Sequence, residues 1–200
     1  MSTERAPSGS LPASYFEAKH RANIDPWDFR TSVYERHKFH ATTAALTQPR
    51  YRRGFEAGCG IGVLSAHLAE RCDHLIAVDA SPTAIAEAAR QNLPHVRFET
   101  AVLPDAFPIG RFDLIVLSEL LYYFGEDDLT CLANKCVDAM KVGGEMILCH
   151  WLGETNYPLS GRQASDLFVK AVATHRPVRV VLHDDIYRLE RLFFAADVAG

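Results

Sequence analysis

The chain has 200 residues, 48% hydrophobic and 23% charged, with a formal net charge of -4. That length closes one substantial core and leaves little room for a second independent domain, and the apolar fraction excludes a mostly disordered chain. The acidic balance gives no electrostatic footing for a polyanion, so no nucleic-acid partner is expected; Arg50, Arg52 and Arg53 read as a solvated lead-in to the first strand.

The start, MSTERAPSGS, has no apolar signal core behind it, and no apolar run approaches the roughly 18 residues of a membrane span. Cys59, Cys72, Cys131, Cys136 and Cys149 lack zinc-knuckle spacing and are odd in number. A cytoplasmic protein with no membrane contact and no metal is expected.

In chain order, residues 1–12 are polar and rich in Ser and Pro and are expected as a flexible tail. Residues 13–50 hold two predicted helices, about Tyr15 to Ala22 and Ser32 to Leu46, interrupted at Pro26. We read them as an N-terminal helical cap over one end of a sheet. From 51 to 200 the pattern alternates. RRGFEAG, HLIAVDA, HVRFET, FDLIVLSE and EMILCHW read as five strands; helices fall at about Ile61–Arg71, Pro82–Gln91 (with Ser81 as N-cap) and Asp127–Met140, and KVGG is the expected turn before the fifth strand. Strands this continuously apolar belong in a parallel sheet covered on both faces. A helix from about Gly161 to Thr174 precedes VRVVLH and YRLERLFFA. The gap between those two is too short for a crossover helix, so they are expected as antiparallel neighbours, with His183, Asp184 and Asp185 at a hairpin turn rather than a metal site. The expectation is an α/β fold, Rossmann-like, with a mainly parallel seven-stranded sheet, an antiparallel final strand and helices on both faces.

Gly58, Gly60 and Gly62 in EAGCGIG end the first strand, where a tight turn lets a ligand approach backbone amides at a helix start. Asp79 ends the second strand, 17 residues past Gly62. An ionised carboxylate there accepts both hydroxyls of an adenosine ribose. Together the two signals point to an adenosine-bearing cofactor. A dinucleotide pattern would need glycine or alanine three residues past Gly62, where Ser65 stands.

The turn GCGIG, opened by Glu56, resembles the cofactor loop of class I S-adenosylmethionine-dependent methyltransferases. More closely, DPWDFRTSVYERHKF and FDLIVLSELLYYF resemble the nodulation protein S family of N-methyltransferases, whose prototype methylates the free amine of a deacetylated chitooligosaccharide. The resemblance implies S-adenosylmethionine as cofactor, S-adenosylhomocysteine as product and no metal. It implies cofactor contacts at Gly58, Gly60, Gly62 and Asp79, with Glu56 as the acidic residue that opens the motif; Cys59 and Ala80 beside them are further candidate contacts. Two departures stand out. Val102 occupies the place where relatives put an acidic residue for adenine, leaving backbone groups, Glu99 or Asp105 for that task. Cys149-His150-Trp151 differs from the small polar residues expected after strand five.

Glu119 closes the fourth strand beside the donor methyl and is expected both as a cofactor contact and on the acceptor side, and His150 closes the fifth. Either can orient or deprotonate an acceptor, and each also fits a structural role, as a loop cap or a buried hydrogen-bonded imidazole. Tyr34, Tyr122, Tyr123 and Trp151 are candidate substrate contacts; the adjacent tyrosines fit core packing equally well. From the cap, Trp27 is expected to exclude water, and Arg30 or Lys38 to meet the methionine carboxylate. The first reading is N-methylation of an amino sugar or other small amine by a monomer or homodimer. O-methylation of a small metabolite, or a cofactor-binding partner subunit without catalysis, are the alternatives. SELLYY lacks the Asp/Asn-Pro-Pro-aromatic pattern of nucleic-acid amine methyltransferases.

Overall fold

The computed structural model describes residues 9–175 and 177–195. Two helices come first, α1 (Ala13–Ala22) and α2 (Val33–Ala44). Then β1 (Gly54–Ala57), α3 (Val63–Ala69), β2 (Leu75–Asp79), α4 (Pro82–Ala89), β3 (Val96–Thr100) and β4 (Phe112–Ser118) alternate. The chain finishes with α5 (Glu126–Ala139), β5 (Met140–Trp151), α6 (Gly161–Val172), β6 (Val178–Asp184) and β7 (Tyr187–Phe193). The seven strands lie in the order β3-β2-β1-β4-β5-β7-β6. β1 to β5 run parallel, and β7 is antiparallel to both β5 and β6.

Both faces of the central strands are buried, as their unbroken apolar runs require. Along β4, Leu114 and Val116 pack into one core with Leu64, Leu68 and Phe39 of α3 and α2, while Ile115 and Leu117 pack into the other with Leu132 and Phe168 of α5 and α6. Local signals start the helices. The Ser81 hydroxyl accepts the Ala84 N–H with Pro82 in the first turn of α4, and Ser160 and Gln163 close a reciprocal capping box on α6.

KVGG is not a turn between helix and strand. α5 passes directly into β5, whose pairing with β4 jumps from Phe112↔Met140 to Leu114↔Glu145. The three extra residues on β5 form a bulge that Gly143 permits through its φ of +81°. The sequence pattern also missed a short 3-10 turn, Leu121–Tyr123, which follows β4.

Polar anchors tie the N-terminal helices to the sheet. Glu17 of α1 accepts the Ser81 hydroxyl at 2.7 Å and the Thr83 hydroxyl at 2.7 Å and N–H at 3.2 Å, so it caps α4 from outside. After α2, the buried Glu145 carboxylate accepts the Thr47 N–H and hydroxyl and the Tyr51 hydroxyl. Within the expected tail, the Leu11 N–H donates to the Tyr123 carbonyl and the Ser10 hydroxyl accepts the Gly125 N–H, so these two residues are docked; residues 1–8 lie outside the described part. At the hairpin, Asp184 pairs with Arg162 and His183 stacks on Tyr187. Among the described residues no helix is long and apolar enough to cross a membrane.

Candidate active site

Strand order reverses between β1 and β4, which opens a crevice beyond their carboxyl ends. A cavity of about 410 Å³ occupies it, closed on its far side by residues of α1, α2 and the segment joining them.

The β1 end is built around its turn. Gly58 and Gly60 take left-handed φ values of +75° and +52°, and a Cβ on Gly58 would stand 2.9 Å from the Leu120 side chain. The Gly60 N–H donates to Asp79 Oδ2 at 2.9 Å and the Ser81 N–H to Oδ1 at 2.8 Å. The loop thus aims the aspartate, and each oxygen keeps lone-pair capacity for a hydroxyl donor. Cys59 and Ala80 line the cavity beside them. Glu56 is buried, accepts the Ser65 hydroxyl at 2.5 Å and is pushed up to about 8 by burial. That bond gives a physical reason for serine where a dinucleotide fold carries a small apolar residue. Gly62 does not line the cavity. A Cβ there would lie 2.6 Å from Gln91 Nε2 and 3.0 Å from Ala88, so the glycine lets α3 start close against α4.

The β4 end is built around Glu119, a non-glycine residue at φ +52°. Such a conformation persists only where neighbours hold it. The Glu119 carboxylate accepts the Trp151 N–H at 3.1 Å and the Tyr122 hydroxyl, and pairs with Lys38 at 2.8 Å. Lys38, 1% exposed, also pairs with Glu35 at 2.8 Å. Burial works against its ammonium, but the carboxylates of Glu119 and Glu35 more than reverse this and hold it charged. The ring of Tyr34 lies 5.0 Å below the same ammonium.

Tyr122 and Tyr123 line the cavity, yet both are largely buried in an aromatic cluster with Phe16 and Tyr157. Trp151 lines the cavity too and is 37% exposed. His150 does not line it. The ring is fully buried, its Nε2 accepts the Leu121 N–H at 3.1 Å, and Ser165 Oγ lies 3.4 Å from Nδ1. Burial pulls it down to about 4, so it is neutral. The proton-acceptor role expected of His150 is therefore replaced by a structural one: it holds the turn after β4.

Arg30 also departs from expectation. Its guanidinium points to Glu87 on α4 at 2.5 Å, half-exposed and outside the cavity lining. Lys38 is the cap cation that reaches the site. Trp27 lines the cavity, stacked on Phe29 at 5.7 Å with His20 edge-on at 5.4 Å. On the β3 side Val102 lines it, whereas Glu99 pairs with Arg97 and neither Glu99 nor Asp105 is in the wall. His20, Glu35 and Ser118 belong to the wall and were missed as site residues. Only Glu35 carried a signal, in Ser32-x-x-Glu35, and that spelling reads first as a helix cap.

This sheet order with a reversed final strand, over a glycine turn that aims an aspartate, defines the Rossmann-like fold of the methyltransferases. The profile of the methyltransferase domain family matches residues 55–144. A crystal structure of a protein from Pseudomonas syringae assigned to the methyltransferases is 36% identical, covers 81% of this chain and 99% of that one, and superposes with a TM-score of 0.71. The nodulation protein S of Rhizobium tropici is 34% identical over 128 residues, 62% of this chain and 53% of that protein. The chain covers about half or less of the length of the curated relatives it first matches. N-methyltransferase NodS of Bradyrhizobium japonicum WM9, crystallised with S-adenosylhomocysteine, shares the fold at a TM-score of 0.77 and 20% identity, covering 92% of this chain and 98% of that one. The chain belongs to the S-adenosylmethionine-dependent methyltransferases.

Proposed function

We propose that the protein transfers the methyl group of S-adenosylmethionine to the nitrogen of a small amine, with an amino sugar of the deacetylated chitooligosaccharide type as the acceptor class. The observation that carries this reading is one cavity bearing Asp79 on one side of β1 and the Glu119–Lys38–Glu35 cluster on the other. Likeness to nodulation protein S and to N-methyltransferase NodS supports nitrogen, and the amino sugar is what the resemblance to the nodulation protein S family implies.

Asp79, with two lone pairs free, takes the ribose diol, and the amides of the glycine turn with Trp27 enclose the rest of the nucleoside. Lys38 uses two of its three N–H donors on Glu35 and Glu119 and offers the third to the methionine carboxylate. The cofactor supplies an electrophilic methyl on a sulfonium, so the protein has only to present a deprotonated nucleophile in line and exclude water. Glu119 is a positioning residue in that task. Its oxygens already serve Lys38, Tyr122 and Trp151, so it fixes the acceptor wall.

Labelled methyl transfer from S-adenosylmethionine to glucosamine oligomers, simple amino sugars, polyamines and hydroxylated metabolites, with products resolved by mass, tests the reading. Label on an amino-sugar nitrogen is the expected result. Label only on oxygen, or no transfer to any nitrogen, overturns it.

A further inference from the structure

Ser32-x-x-Glu35 has the spelling of a capping box, in which the glutamate returns to the N-cap amide. Half of that device forms: the Ser32 hydroxyl accepts the Glu35 N–H at 3.2 Å. The glutamate side chain turns away and enters the cavity wall, where Oε1 meets Lys38 Nζ at 2.8 Å. Its other oxygen, Oε2, is buried and has no hydrogen-bond partner among the described residues. Two further wall atoms share that state, Ser118 Oγ and the Tyr34 hydroxyl. Glu35 is 9% exposed and Ser118 8%, so neither atom is satisfied by bulk water.

All three residues line the same cavity. Ser118 precedes Glu119, Tyr34 precedes Glu35, and one Lys38 ammonium joins the two carboxylates. Two carboxylates share one ammonium, and burial raises the Glu35 carboxyl above the usual carboxylate range despite Lys38, so a second cation beside it would favour its ionised form. Glu35 Oε2, when ionised, accepts only, and the two hydroxyls can accept beside it, so the group suits a ligand that donates hydrogen bonds and carries positive charge.

From this we infer that Glu35 Oε2, Ser118 Oγ and the Tyr34 hydroxyl form an ammonium-binding subsite that recognises the methyl acceptor by its amine, with Glu35 as the specificity-determining carboxylate. The inference rests on the amine reading above and assigns it to residues. Glu119, whose oxygens are all engaged, supports the cluster; Glu35 keeps a free oxygen for the acceptor. An acceptor with a neutral amide or hydroxyl in the same place brings no such cation to Glu35 and binds less well.

Calorimetry on protein saturated with S-adenosylhomocysteine tests this, with glucosamine and ethylammonium as cationic probes and N-acetylglucosamine as the neutral one. Glu35→Gln keeps an oxygen for Lys38 and removes only the charge. The expected result is that glucosamine and ethylammonium bind the wild type, N-acetylglucosamine binds at least about 10-fold more weakly, and Glu35→Gln loses about 10-fold or more for the cations alone. Ser118→Ala loses a smaller factor. The affinity for S-adenosylhomocysteine stays within about twofold of wild type in both variants, which also certifies their fold. Three results overturn the inference: neither cation binds the wild type, Glu35→Gln leaves cation binding unmoved, or it weakens S-adenosylhomocysteine instead, which gives the subsite to the cofactor's own ammonium. Failure of the amine reading is seen separately: cations bind through Glu35, yet no nitrogen receives label.

Discussion

Lys38 sits at 1% exposure between two carboxylates, and its removal is the sharpest test of that buried ion cluster. Lys38→Met leaves Glu35 and Glu119 in the wall without a counter-charge and is expected to cost roughly 3–5 kcal/mol in a urea titration, the scale for breaking a buried pair. Glu119→Gln keeps shape but loosens Lys38, Tyr122 and Trp151 together; turnover is expected to fall about 100-fold, as misplacement of a positioned group does. Two other buried groups set opposing pH dependences. His150 takes its proton near 4 when folded and near 6.5 otherwise, so the unfolded chain holds more protons between those values. Stability from this group is complete above 6.5 and is lost as pH falls towards 4, by roughly 3 kcal/mol. Glu56 titrates near 8 when folded against 4.5 unfolded, so its contribution declines as pH rises from 4.5 to 8. Urea titrations at pH 5, 6, 7 and 8 are expected to show the His150→Gln deficit shrinking towards pH 5, and Glu56→Gln gaining on wild type towards pH 8. Curves parallel to wild type would contradict both assignments.

At the scale of elements, α1 is held by what its side chains do for others. Glu17 caps α4 through Ser81 and Thr83, which also keeps its carboxyl below the usual range. Glu17→Ala is expected to release α1, so amide exchange across residues 13–22 accelerates in a hydrogen-exchange measurement while β1, β4 and β5 keep their protection. Unchanged exchange in α1 would show that Phe16 and Leu11 packing suffices. The same elements explain what was legible in the sequence. β4 and β5 announce themselves by unbroken apolar runs, and α4 by Ser81-Pro82. The passage of α5 into β5 was hidden because KVGG reads as a turn; only pairing with β4 makes it a bulge.

The whole molecule was largely legible. Alternating strands and helices, with two closing strands too near for a crossover, led to the seven-stranded sheet and its reversed final strand. The strand-end positions followed, since Asp79 and Glu119 occupy the carboxyl ends of apolar strands on either side of β1, where an open sheet leaves its crevice. Tertiary choices were not legible. Nothing local tells that Arg30 turns to Glu87 while Lys38 enters the cavity, that His150 faces Leu121 and Ser165, or that Glu35 abandons its cap. Those outcomes depend on how residues 13–50 dock, and that docking was visible only as a bare expectation.

We propose that Asp79 anchors the cofactor in the cavity it shares with Lys38. Titration of S-adenosylhomocysteine into wild type and Asp79→Ala is the measurement to make. We predict saturable binding by the wild type at one site per chain and a loss of about 10- to 100-fold in Asp79→Ala, the worth of hydrogen bonds to a charged group. No binding by the wild type, or equal binding by both, would contradict it.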